Sequence, residues 1–208
     1  MKSVIELIDP TTLKTLSNYE SLGGGWSYIL DYSWIYNNLL DIENLQNVLD
    51  VGCGKSRFGN YISKTLNTKV LGIDRRNLPN VKQVDDFLKF NSEIKFDAVI
   101  WASSLEHNSP KEMLQLFEHS MSLLEKGGIF LATIPISHAY SWNKLSNHTN
   151  LSIKHTEDLF NIQNTIGSYD NILSKYKDNP NGLLDKYERR YKTRNIDYII
   201  GGIRKINE

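Results

Sequence analysis

The stretch Val48-Leu49-Asp50-Val51-Gly52-Cys53-Gly54-Lys55-Ser56-Arg57-Phe58 constrains this chain more than any other. Three apolar residues around one acid predict a short buried strand, and two glycines at alternate positions then allow a tight turn against a ligand. A helix is expected at once. Phe58, Tyr61, Ile62, Thr65 and Leu66 follow the spacing i, i+3, i+4, i+7, i+8 and share one face of a helix beginning near Arg57. Strand, glycine turn and helix together suit a nucleotide-type cofactor. A dinucleotide fingerprint, G-x-G-x-x-G, requires a third glycine where Arg57 stands, which weakens that reading. A phosphate-binding loop ending in Gly54-Lys55-Ser56 requires a glycine where Leu49 stands, and fails. What fits is Asp50-x-Gly52-x-Gly54, an acid placed to receive an ammonium group while the backbone closes on the ligand.

That arrangement resembles motif I of the class I S-adenosylmethionine-dependent methyltransferases. The resemblance implies a three-layer, doubly wound, Rossmann-like α/β fold with a mostly parallel seven-stranded sheet whose last strand is antiparallel. It also implies S-adenosylmethionine as cofactor, S-adenosylhomocysteine as its product, and Asp50, Gly52, Cys53 and Gly54 as cofactor-binding positions. Many relatives carry a third glycine where Ser56 stands. Lys69–Ile73 reads as a second strand ending in Asp74, about 20 residues past the turn, where doubly wound nucleotide folds place an acid for the ribose hydroxyls. Arg75 and Arg76 follow. The resemblance implies that the side chain after the acid flanks the adenine, although a solvated charge pair is the plain alternative. A third strand over Val81–Val84 leads into Asp85-Asp86-Phe87-Leu88. By resemblance an acid here accepts from the adenine amino group and the next residue donates its N–H, Asp86 with Phe87 fitting best and Asp85 the alternative.

Phe96–Ala102 reads as a fourth strand with Ser103-Ser104-Leu105-Glu106-His107 as its exit, and ligands in open α/β sheets bind beyond the carboxyl ends of strands. Ser103 joins the cofactor set. Ser109-Pro110-Lys111-Glu112 matches a capping box, and Met113, Phe117, Met121 and Leu124 give the following helix a buried face that ends at Gly127-Gly128. The next strand, Ile129–Ile134, is expected to stop at Pro135. This series looks like the small-molecule methyltransferase subgroup. Such chemistry chiefly aligns an acceptor with an already activated methyl group, and a base is needed where the acceptor is a hydroxyl or a protonated amine. His107 is the first candidate, Glu106 a residue to orient it or touch the acceptor, and His138 and Tyr140 further candidates from beyond the fifth strand. Packing under the loop is the ordinary alternative for His107. His119, His148 and His155 have no claim from the sequence, and no histidine pair has metal-ligand spacing.

With 208 residues and 40% apolar content the chain suits one domain. Residues 1–44 form an aromatic helical segment, 45–135 the cofactor core, and 136–208 a substrate-facing insert with a last strand over Asp197–Arg204. Trp26–Leu40 is expected to be helical. Behind Gly23-Gly24-Gly25 it is either a lid or, preferably, a core helix from which Trp26 and Tyr28 are the exceptions. Thr156–Asn164 is a helical candidate and Asn179-Pro180-Asn181-Gly182 a turn. Twenty-four basic and 24 acidic residues balance, which disfavours a nucleic-acid partner. No signal peptide or membrane span is evident, and the single Cys53 allows no internal disulfide, so a cytoplasmic enzyme is expected. Its partner is a small-molecule substrate, most simply an oxygen on a metabolite or glycan precursor. A binding module with a protein partner, and methylation of a protein nitrogen or a nucleic acid, are the alternatives.

Overall fold

The computed structural model describes residues 1–16, 22, 28–143, 148–178 and 198–208. Trp26, the three consecutive glycines and the Asn179–Gly182 turn lie outside them. Among the described residues one eight-stranded sheet carries the core, in the order β4 (Lys82–Gln83), β3 (Lys69–Asp74), β2 (Asn47–Val51), β5 (Phe96–Ala102), β6 (Leu124–Ser137), β10 (Tyr198–Ile206), β1 (Val4–Leu7), β9 (Thr165–Ile166). The cofactor half is β2 (Asn47–Val51), β3 (Lys69–Asp74), β4 (Lys82–Gln83), β5 (Phe96–Ala102) and β6 (Leu124–Ser137). These five strands are parallel, joined by crossovers that include α2 (Phe58–Leu66) and α3 (Pro110–Leu123). Val48, Leu49, Val99 and Ile100 are fully buried, as strands covered on both faces require.

The far half departs from expectation. β10 (Tyr198–Ile206) is antiparallel to β6, as anticipated for the last strand, but it is not at the margin. β1 (Val4–Leu7) pairs antiparallel with its other side, and β9 (Thr165–Ile166) pairs with β1. The expected seven strands are therefore eight, because four residues of the supposed helical N-terminal segment, three of them apolar and buried, pair with β10 and extend the sheet. A separate hairpin, β7 (Ser141–Asn143) with β8 (His148–Asn150), lies before α4 (Ile153–Phe160) and α5 (Tyr169–Asp178). No helix among the described residues is long and apolar enough to cross a membrane.

Three element ends differ from the sequence reading. α3 has its capping box, with the Ser109 hydroxyl accepting from Glu112 N–H and the Glu112 carboxylate from Ser109 N–H. It stops at Leu123, however, and Gly127-Gly128 lie inside the irregular start of β6, where a side chain at Gly128 would meet the Phe96 and Glu125 carbonyls at 3.0 Å. β6 also continues past Pro135. The neighbouring bridge to Leu151 uses the carbonyl of Pro135 and the N–H of Ser137, so the missing proline N–H costs no hydrogen bond. The third strand shrinks to two exposed residues, which have no apolar face to bury.

The helix α1 (Ile29–Leu40) is a core helix, buried on most sides from Ile29 to Ile35. One glycine of β10 admits it. The Trp34 ring stands 2.3 Å from where a Gly202 Cβ would be, and on β10 Gly201 makes room for Ile136 at 2.1 Å. The Trp34 indole N–H then donates to Glu6 Oε2 at 2.8 Å, tying α1 to β1. Gly202→Ala should therefore destabilise the protein by about 1–3 kcal/mol through overpacking. Chemical denaturation checks this: an unchanged midpoint would mean that α1 is not seated on β10.

Candidate active site

Glycine makes the turn after β2 possible. Gly52 has φ +69° and Gly54 φ +60°, both in the left-handed region, and a Cβ on Gly52 would lie 2.9 Å from the Ser104 Cβ. The turn is bound to β3: Gly52 and Cys53 N–H donate to the Ile73 carbonyl at 2.9 and 3.2 Å, and Gly54 N–H donates to Asp74 Oδ2 at 2.9 Å. α2 starts directly behind it with Arg57 at its N-cap, and the Ser56 hydroxyl accepts from Phe58 N–H at 3.0 Å.

A cavity of about 580 Å³ opens at the carboxyl ends of β2, β3 and β5. It brings together Gly52, Asp74, Arg75, Asp85, Asp86, Phe87, Ser103 and His107 from the sequence-derived set. The Asp74 carboxylate is nearly buried and held well below the usual acid range, chiefly by its hydrogen bonds from Arg76. Asp86 caps a short 3-10 turn by accepting from Leu88 N–H at 3.1 Å and Asp85 accepts from Gln83, both acids being exposed. Phe87 meets Trp101 edge-on at 5.2 Å, and with Val84, Ile73 and Leu88 they give this end of the cavity an apolar wall.

Asp50 and its neighbours fall elsewhere. Asp50, Cys53 and Gly54 line a second cavity of about 470 Å³ between α2 and the loop after β3. Burial, then the charge of Asp74, pushes Asp50 up to about 7, and burial pushes the Cys53 thiol up to about 12, far from a reactive thiolate. Asp50 thus stands behind the turn and not on the larger cavity.

Of the four catalytic candidates, His107 alone reaches the larger cavity. Its ring meets that of His148 edge-on at 5.5 Å, and burial followed by the neighbouring His107 lowers His148 below the ordinary histidine range. His138 sits 3.2 Å from Asp170, and Tyr140 stacks on His155 at 5.1 Å; neither is on the cavity wall. Glu106 turns inward and is 4% exposed. Burial, then nearby Asp31, raises it to about 8, and Asp31 is itself raised by burial. Asp31 accepts from the Ser103 hydroxyl at 2.7 Å, holding Ser103 at φ +45° on the cavity wall, with Ser103 N–H donating to Thr133 Oγ1. One oxygen of each acid, Asp31 Oδ2 and Glu106 Oε2, is buried without a hydrogen-bond partner. Tyr28, at the start of α1, lines the cavity beside them.

Sequence reasoning missed Asp31, Ser104, Asn108 and His148. The lone acid of α1 was visible among aromatics, but its neighbours were not. His148 is brought in by the hairpin, whose Thr149 hydroxyl donates to the Asn108 carbonyl at 2.8 Å.

No protein-family model and no curated protein matches the chain. Solved structures do, at low sequence identity. The 1,6-didemethyltoxoflavin-N1-methyltransferase of Burkholderia thailandensis, solved with S-adenosylhomocysteine, is 15% identical with a TM-score of 0.59, over 91% of this chain and 84% of that one. The phosphoethanolamine N-methyltransferase 2 of Haemonchus contortus, in complex with phosphomonomethylethanolamine and S-adenosylhomocysteine, is 14% identical with a TM-score of 0.61. That alignment covers 89% of this chain and 53% of the relative, so this chain spans about half of its length. The [4+2]-cyclase SpnF is 15% identical with a TM-score of 0.61, over 88% of this chain and 83% of that one. The fold is that of the class I S-adenosylmethionine-dependent methyltransferases. A cyclase among its bearers means that the reaction must be argued from the site.

The buried acids give the fold a pH signature. Glu106 would titrate near 4.5 in the unfolded chain and does so near 8 in the fold, so the folded state keeps a proton that the unfolded state has lost. Its stabilising effect is complete below about pH 4 and fades as pH rises to about 8; Asp50 acts in the same direction between 3.8 and about 7. The melting temperature should fall from about pH 5 to about pH 8, and Glu106→Gln should flatten that fall. An identical slope in the glutamine variant would contradict the assignment.

Proposed function

We propose that the protein is a methyltransferase that uses S-adenosylmethionine to methylate a small molecule, most simply a hydroxyl of a metabolite or glycan precursor. The observation that carries this reading is one cavity at the carboxyl ends of the parallel strands holding Gly52, Asp74, Asp86, Phe87 and His107 together. Its lining suits the cofactor. Gly52 lets the turn close against Ser104 on the cavity wall, Asp74 is the acid we assign to the ribose, and Asp86 with the apolar wall beside it is assigned to the adenine. A volume of about 580 Å³ lies within the ordinary range of small-molecule sites, about 300–1,000 Å³.

When bound, the cofactor supplies a methyl group already activated on a sulfonium. The protein's part is alignment, which can lower a barrier by about 7–11 kcal/mol, together with removal of the acceptor's proton. His107 is the base. His148, whose ring meets it edge-on, is disfavoured as a cation by burial and then by His107, so the proton is assigned to His107 and not to its neighbour. Asp31 and Glu106 act from below the floor, Asp31 fixing Ser103 through the hydroxyl hydrogen bond. A nitrogen acceptor would use the same wall, and the two N-methyltransferases among the structural relatives keep it as the second reading.

Transfer of labelled methyl from the cofactor to a metabolite extract should be measurable with the wild type. His107→Ala should lower it about 100-fold while leaving affinity for S-adenosylhomocysteine within about twofold by calorimetry. Full transfer by the alanine variant would remove His107 from the reaction. Cofactor binding with no label reaching any acceptor would favour the binding-module reading instead.

A further inference from the structure

The Asp74 carboxylate is saturated. Oδ1 accepts from Arg76 N–H at 2.9 Å and from Arg76 Nε–H at 2.9 Å. Oδ2 accepts from Gly54 N–H at 2.9 Å and from Arg76 Nη2 at 3.1 Å. A carboxylate offers about four lone-pair sites, and all are taken. Two of these donors are backbone groups built into the glycine turn and the end of β3, so neither can withdraw while the turn stays intact. The other two belong to one guanidinium on a side chain 57% exposed, which water can receive without rearrangement of the fold. That guanidinium lies over the turn: its Nη2 is 3.0 Å from where a Gly54 Cβ would be. The space that the second glycine leaves open is thus filled by Arg76.

We propose that Arg76 is an internal competitor for the ribose position, so that a cofactor can bring its ribose hydroxyls to Asp74 only by displacing the guanidinium. The inference rests on the cofactor reading above and goes beyond it. Affinity is then set by an exchange of a bidentate, charge-assisted ion pair for two neutral hydroxyls, and a charged pair is the stronger of the two. The protein discriminates weakly between nucleosides with and without those hydroxyls, because the diol must undo a contact that the dideoxy form can leave in place. Arg76 is a specificity-determining residue acting through Asp74.

Calorimetric titration of the full chain with S-adenosylhomocysteine tests this. Arg76→Gln should bind about tenfold more tightly than the wild type, and Arg76→Lys, which keeps the charge but loses the fork, should fall between them. In an Asp74→Asn background the change at Arg76 should alter affinity less than twofold, since the competitor has lost its target. A merely structural Arg76 would not change the preference for S-adenosylhomocysteine over its 2′,3′-dideoxy counterpart. Here that preference should rise about tenfold in Arg76→Gln. Equal or weaker binding by a glutamine variant with wild-type circular dichroism overturns the inference and leaves the cofactor reading standing. If neither the wild type nor either single variant binds S-adenosylhomocysteine, the cofactor reading fails and takes this inference with it.

Discussion

Three backbone hydrogen bonds hold the functional end of this molecule in shape. Gly52 and Cys53 donate to the last apolar carbonyl of β3, and Gly54 donates to the Asp74 carboxylate one residue further on. They lock the turn after β2 to its neighbouring strand, and they require a backbone that only glycine adopts without strain at φ +69° and +60°. Release of this turn would move the wall that carries Gly52, Asp74 and the start of α2 together. The parallel register of β2 with β3 and β5 exists to bring these ends level.

The second constraint comes from α1. Most surface helices bury one stripe, but this one is buried nearly all round, so its polar side chains must be satisfied inside the protein. Trp34 reaches Glu6 across β10, Asn38 donates to the Trp34 carbonyl and accepts from Arg204, and Tyr32 donates to the Ser56 hydroxyl while stacking on Phe58. Asp31 takes the Ser103 hydroxyl and leaves one oxygen unpaired. Burial keeps this acid and Glu106 protonated to higher pH than usual, which lowers the cost of placing two carboxyl groups under one floor. α1 therefore joins the antiparallel half of the sheet to the cavity of the parallel half.

The parallel half was legible in the sequence because its signals are local. A strand, a glycine turn, a helix face and a capping box each lie within about a dozen residues and set their own conformation, and the acid follows the turn at a fixed interval of about 20. Gly52, Asp74, Asp86, Phe87 and His107 consequently meet in one cavity. What was not legible depends on distance. β1 reads as four unremarkable residues until β10 arrives beside it from the other end of the chain. His138 and Tyr140 also follow a strand, as the first candidate His107 does, yet β6 runs on to Ser137 and carries them past the cavity, while a hairpin sets His148 against the His107 ring. Asp50 belongs to the same motif as Gly52, but its carboxylate lies against α2, 3.5 Å from where a Gly59 Cβ would be, and so lines the other cavity.

We propose the crevice at the ends of β2, β3 and β5 as an adenosyl site. A crystal structure of the protein grown with S-adenosylhomocysteine tests it most directly. The account predicts ribose hydroxyls on Asp74, adenine between Asp86 and the Phe87 wall, and the sulfur facing Ser103 and His107. A nucleoside seated instead in the cavity between α2 and Asp50, or no nucleoside in either, would contradict it.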